Sequence, residues 1–301
     1  MKEKSSGVKA KVGVMNWILF GLLVLYTLSM IVLFTWGIST ALKTRSEWTK
    51  DKLWFPDGAP WDWGWDNFKT VMDNFYVGHI DKLGRRVRVN VWGQLFNTLL
   101  YAGGSAIVIT AAYVITAYLV AKFPYWFSKV VYTFVLVTMV VPVIGSAPST
   151  LLVLKTLGIF DTWAGNFITK FNFLGMYFLV LHAAFEGVSN EYREAATIDG
   201  ANEWQIFFKI MVPLVMPSCY TICLIKIIEF WNDYQTPVMF MPTHPTLAYG
   251  VYRMSVSNFQ GLSSEPIRLA SCMILALPIL ALFIGFRNKI LGNVSMGGVK
   301  E

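Results

Sequence analysis

Charge is scarce in this sequence. Asp, Glu, Lys and Arg make up 14% of its 301 residues, against about a quarter in an average soluble domain. With 55% of residues hydrophobic, that shortage excludes a water-facing surface for much of the chain and points to lipid. Cysteine is rarer still. Cys219, Cys223 and Cys272 are the only three, too few for a disulfide framework. Cys219 and Cys223 lie one helical turn apart in an apolar run and read as small buried hydrophobes. His79, His182 and His244 have no ligand spacing with one another or with the cysteines, so no metal site is expected. No G-x-x-x-x-G-K-S/T phosphate loop occurs, and no soluble stretch is large enough to house one. The chain is therefore expected not to be an enzyme. Its net charge of +7 is scattered around apolar runs with no compact basic face, which argues against nucleic acid.

What the sequence does have is long apolar runs. A membrane span needs about 20 mostly apolar residues. Six segments meet this, at 15–38, 95–120, 130–152, 167–185, 214–234 and 269–286. The expected fold class is all-α, a polytopic membrane protein with six transmembrane helices. The first run is free of charge from Val12 to Leu42, longer than a signal peptide's apolar region, and no A-x-A-like site follows it. It is expected to stay as an anchor. The chain then divides into an N-terminal tail (1–14), the first helix, an extracytoplasmic loop (39–94), a five-helix core (95–286) and a C-terminal tail (287–301). An even number of spans puts both termini on one side. Placing them in the cytoplasm leaves only Lys155, Lys170, Arg253 and Arg268 in the short outer loops, which is the expected charge bias. The long loop carries many basic residues, but long loops translocate largely regardless of charge.

That loop is rich in tryptophan, with Trp48, Trp54, Trp61, Trp63 and Trp65. Pro56, Gly58 and Pro60 break helix there. It reads first as an interfacial aromatic belt over a small packed cap. The alternative is a surface that docks an external protein or stacks on a sugar ring.

Between the fourth and fifth runs lies a polar stretch, 189–213. Ser189 or Asn190 is placed to cap a helix, with Glu191 at its positive end. Ala195 and Ala196 form helix well and let another protein approach the backbone closely. Gly200 suits the left-handed turn that ends it. Asn202 and Gln205 then form a capping-box pattern. A second short helix follows to Val212, with Trp204, Phe207, Phe208 and Met211 on one side as in an interfacial helix. In the fifth run, Lys226, Glu229 and Asp233 share one helix face. Three unpaired charges there would cost roughly 8 kcal/mol, so this face must meet a bundle interior, a partner or water. Glu229, Asn232, Asp233 and Tyr234 are candidates for lining a path for solute. An inter-subunit polar clamp is the structural alternative.

The spaced run Glu194-Ala195-Ala196-x-x-Asp199-Gly200-Ala201, continued by Phe207, Ile210, Pro213, Leu214 and Pro217, resembles the EAA loop of binding-protein-dependent ABC importers. Asn97-Thr98-Leu99, Leu157-Gly158-Ile159-Phe160-Asp161-Thr162 and Trp231-Asn232-Asp233-Tyr234 are similar to the sugar-uptake, maltose-type branch, in its second permease. The tail Gly297-Gly298-Val299-Lys300 is similar to that branch's ATPase-contacting end, although Glu301 departs from its usual glycine. The resemblance implies a type I importer permease fold in the cytoplasmic membrane of a bacterium. It also implies a second homologous permease, two ATP-binding subunits that hold ATP and magnesium, an external solute-binding protein and a carbohydrate substrate. Glu194, Ala195, Ala196, Asp199, Gly200 and Ala201 would couple to the ATPase, with Gly297, Gly298 and Lys300 as a further contact. This chain would carry no cofactor.

Overall fold

The structure, a computed structural model, describes residues 14–80, 84–141, 145–256, 262 and 264–294, with side chains as far as 286. In chain order its elements are α1 (Val14–Ala41), α2 (Arg45–Lys50), α3 (Asp66–Asn74), β1 (Tyr76–Ile80), β2 (Arg86–Asn90), α4 (Val91–Lys122), α5 (Trp126–Val140), α6 (Ser146–Thr156), α7 (Trp163–Lys170) and α8 (Met176–Glu186). Then come α9 (Glu191–Ile198), α10 (Glu203–Ile206), a π-helical stretch (Phe207–Met211), α11 (Val212–Asn232), α12 (Gln235–Phe240), α13 (Leu247–Val256) and α14 (Glu265–Val294).

The chain is mostly helical, as expected, with one addition: β1 and β2 form an antiparallel hairpin, Tyr76 facing Asn90 and Ile80 facing Arg86, within the loop expected at 39–94. Among the described residues, four helices are long and apolar enough to cross a membrane: Val14–Ala41, Val91–Lys122, Glu203–Asn232 and Glu265–Phe286. The third and fourth expected spans are interrupted instead. Gly145, in the left-handed region at φ 80°, separates α5 from α6, and Gly175 at φ 139° starts α8 after a non-helical segment. Hydropathy averaged over a window cannot see such breaks, because Gly and Pro are common in bundled membrane helices.

The described residues fall into two compact units, one drawn from 1–71 and 260–273, the other from 72–259 and 274–301. In the first, α1 is apolar on every side and exposed from Val14 to Thr35. Its end is closed by a small cap. Asn67 donates to the carbonyls of Ala41 at 2.8 Å and Lys43 at 2.7 Å, and the Gly64 amide donates to Leu42 at 2.6 Å. These partners satisfy carbonyls that a helix end leaves open. A Cβ on Gly64 would stand 2.9 Å from the Leu42 oxygen, so glycine lets this segment of the cap close on the helix end. Thr44 and Glu47 form a capping box on α2. Burial disfavours the Glu47 carboxylate, yet hydrogen bonds from Thr44 and the Asp57 amide outweigh it and hold the group below its ordinary range.

In the second unit α4 is the central helix, packed by α8, α11, α7 and α13. Its buried face sets small residues, Ala102, Ser105, Ala106, Ala112 and Ala117, between the rings of Tyr101, Tyr113 and Tyr118; the small ones let helices approach closely where lipid supplies no hydrophobic drive. Gly104 abuts the Phe167 ring of α7. Asn166 donates to Ser105 at 3.0 Å inside the packing. Pro278 removes one rung of α14, and nearby the carbonyl of Leu275 accepts the indole N–H of Trp231 at 3.0 Å.

Candidate functional site

The 189–213 stretch folds into a knob. Asp199 ends α9, and Gly200 takes the left-handed conformation at φ 82°. The Ala201 amide donates to Ala196 at 2.9 Å and the Gly200 amide to Thr197 at 3.0 Å, the pair of bonds that defines a Schellman turn. Asn202 and Gln205 then cap α10 reciprocally, as their spacing predicts. Capping of α9 differs from expectation. The Asn190 side chain makes no cap bond; it accepts from Lys122 at 3.0 Å, and Lys122 also donates to the Val188 carbonyl at 2.6 Å. Ser189 accepts from the Glu191 amide at 3.2 Å.

These contacts tie the base of the knob to the end of α4. Arg193 grips Glu203 through both Nη2, at 2.7 Å, and Nε, at 3.4 Å, and lies 4.5 Å over the Phe123 ring. Phe207 packs on Tyr118 with ring centroids 4.8 Å apart. The expected second helix is also corrected: α10, the π stretch and α11 are continuous from Glu203 to Asn232, so Pro213 lies inside this helix, directly after the π stretch, and not at a helix start. The aromatic residues divide. Phe207 and Met211 are buried, whereas Trp204 and Phe208 are exposed and stacked on each other at 6.1 Å. Glu191, Glu194, Ala195 and Ile198 form one outward face of α9 and are all exposed, while Ala196 turns inward. Asp199 is exposed and Ala201 half-buried.

A second polar cluster lies where α4, α7 and α11 meet. Tyr101 donates to Asp233 Oδ2 at 2.6 Å, and the Thr236 amide to Oδ1 at 3.0 Å. Lys170 Nζ stands 3.7 Å from the same carboxylate and 4.5 Å over the Phe230 ring. One turn back, Lys226 pairs with Glu229 at 2.7 Å as expected, and lies 5.0 Å over the Tyr177 ring. Glu229 is the exposed member; Lys226, Lys170 and Asp233 are largely covered. Of the four candidate path residues, Asn232 and Tyr234 stand apart from Asp233's bonds: Asn232 bonds back to Ile228 at 3.0 Å, and Tyr234 stacks on Tyr252 at 4.5 Å. Tyr101 and Lys170 were missed. Lys170, expected in an outer loop, ends α7 with its ammonium turned into the aromatic cluster. Gly297, Gly298 and Lys300 lie outside the described residues, as does most of the N-terminal tail.

The other family-like stretches meet in one place. Asn97 donates to the Pro245 carbonyl at 3.0 Å, and Thr98 accepts from the Leu247 amide at 2.9 Å. Asp161, at φ 58°, donates its amide to Phe240 at 3.1 Å and accepts from the Thr243 amide at 3.1 Å. The segment between α12 and α13 is thus held from two sides.

The diacetylchitobiose uptake system permease protein NgcG of Streptomyces coelicolor is 22% identical over 92% of this chain and 86% of its own length. The melibiose/raffinose/stachyose import permease protein MelC of Bacillus subtilis is 25% identical over 87% and 89%. Among solved structures, a chain of a bacterial ABC transporter involved in the import of the acidic polysaccharide alginate superposes with a TM-score of 0.71. It is 21% identical and covers 95% of this chain and 99% of that one; it speaks to fold alone. The family described as binding-protein-dependent transport system inner membrane component matches residues 113–291. Its match takes in the knob, Lys170 and α11 with Asp233, while Tyr101 and the first two-thirds of α4 precede it, and the chain belongs to that family.

Proposed function

We propose that this chain is one of two permease subunits of an ATP-driven importer for carbohydrate, and that the α9 knob is where a separate ATPase engages it. It is a transport subunit and not an enzyme; ATP and magnesium belong to the partner ATPases. The carbohydrate assignment is supported by relatives whose names specify diacetylchitobiose and melibiose, raffinose and stachyose. The six-span topology needs the interrupted helices α5–α6 and α7–α8 to cross as well, with their irregular backbone buried among neighbours. Both termini and the knob then face the cytoplasm. The external side meets a solute-binding protein, and the tail at Gly297, Gly298 and Lys300 reaches the ATPase.

One observation carries the coupling role: the knob is exposed outward yet rigid at its base. Lys122 fastens it to α4, and α10 continues without a break into α11. At the far end of the same two helices, Tyr101 and Asp233 are bonded together. A displacement of α9 is therefore passed to α4 and α11 as a body, as alternating access by rigid-body motion requires. Asp233, Lys170 and Glu229, beside exposed Asn232 and Tyr234, border the path in this reading. Glu194→Lys should leave the protein inserted but uncouple ATP hydrolysis from uptake in the reconstituted transporter. Wild-type uptake by that variant at normal expression refutes the docking role. Stimulation of ATPase activity across a panel of mono- and oligosaccharides tests the cargo.

A further inference from the structure

In the tryptophan-rich cap of the first unit, Trp63 and Trp65 bond their indole N–H groups to the carbonyls of Gly58 at 3.4 Å and Pro60 at 2.8 Å, and Trp65 stays 54% exposed. Leu53, Trp54, Phe55 and Trp61 are 81%, 71%, 50% and 79% exposed, a run of large apolar groups of the kind that marks a contact surface.

The depth of this patch follows from α1. Trp17 and Trp36 are 19 residues apart on that helix, a rise of about 28 Å, close to the thickness of a bilayer's hydrocarbon core. Tryptophan favours the two membrane–water boundaries, so Trp36 marks the boundary at the cap's end. The cap is fastened at that level. Trp36 donates to the Lys52 carbonyl at 2.9 Å, and Ser39 donates to the Trp54 carbonyl at 3.3 Å. Leu53, Trp54 and Phe55 are therefore held within about one helical turn of the hydrocarbon edge. The part of the cap that carries Trp61 is fastened further out: the Gly64 amide, three residues on, bonds to Leu42, six residues beyond Trp36. α1 itself exposes apolar side chains from Val14 to Phe34.

We propose that residues 53–61 form a lateral membrane anchor, with Leu53, Trp54 and Phe55 seated at the acyl–headgroup boundary and Trp61 among the headgroups. The partner is phospholipid. Such an anchor fixes the height and tilt of α1.

The test places an environment-sensitive fluorophore on Trp54→Cys or Trp61→Cys, with Cys219, Cys223 and Cys272 replaced by alanine, in the full chain reconstituted in phosphatidylcholine–phosphatidylglycerol vesicles. Expected is blue-shifted emission at 54, quenched severalfold more by a nitroxide near the headgroup than by aqueous iodide, with 61 shifted toward shallower quenching. Iodide quenching at both sites without nitroxide quenching overturns the proposal. So does shielding that appears only when a solute-binding protein is added, which would make the patch a protein-docking surface. Should the cysteine variants not fold, brominated-lipid quenching of the native chain against Trp54→Phe provides the same readout. Equal quenching of the two overturns the anchor.

Discussion

Thr98 caps α13 from inside another helix: its hydroxyl oxygen lies 2.9 Å from the amide nitrogen of Leu247, 149 residues further along the chain. The same hydroxyl donates to the Gln94 carbonyl at 2.7 Å, so both of its hydrogen-bonding capacities are used in a fully buried site.

Removing that oxygen strands a buried N–H, which costs about 1–3 kcal/mol. Thr98→Val should destabilise the detergent-purified chain by that amount and speed hydrogen exchange at the start of α13, while Thr98→Ser stays close to wild type. An unchanged melting temperature for Thr98→Val would show that water replaces the hydroxyl.

Gly200 is needed for its backbone alone. No atom lies within 4 Å of where its Cβ would stand, yet φ is 82°. Gly200→Ala should therefore weaken the knob by about 1 kcal/mol, Gly200→Val by more and Gly200→Asn by less. Exchange of the Gly200 and Ala201 amides measures the effect. Equal protection in the alanine and glycine forms would contradict a left-handed turn.

At Gly104 the constraint is space. An added Cβ would lie 2.7 Å from two carbons of the Phe167 ring. Gly104→Ala is expected to destabilise by about 1–3 kcal/mol through overpacking, and a second change, Phe167→Leu, should recover part of the loss. Additive losses in the double variant would place the strain elsewhere.

Asp233, Lys170 and Tyr101 are expected to behave as one unit. Asp233→Ala leaves the largely covered Lys170 ammonium without its carboxylate, a loss of about 3–5 kcal/mol. Combining Asp233→Asn with Lys170→Met should be milder than the two single losses summed. A double-mutant cycle on thermal unfolding, with Tyr101→Phe as a third arm, reads the coupling; strict additivity would dissolve the cluster.

Much of this was legible in the residues. The charge-free run of α1, the glycine at 200 and the Asn202–Gln205 capping box are local devices, and local patterns survive whatever the rest of the chain does. Lys226 and Glu229 share a face through helical spacing alone. Lys170 gave no such signal, since a lysine beside an apolar run looks like a loop residue until Phe230 and Asp233 are brought against it.

Periodicity and capping chemistry act over a few residues, so the sequence alone determined the membrane class, the long apolar helices and the turn that shapes the knob. Only the tertiary structure decided where helices break, at Gly145 and Gly175, and which distant groups meet. A buried charge or hydroxyl demands a partner because desolvation is costly. That demand does not say which of many polar residues answers it; Tyr101, Lys170 and Leu247 were selected by packing around α4.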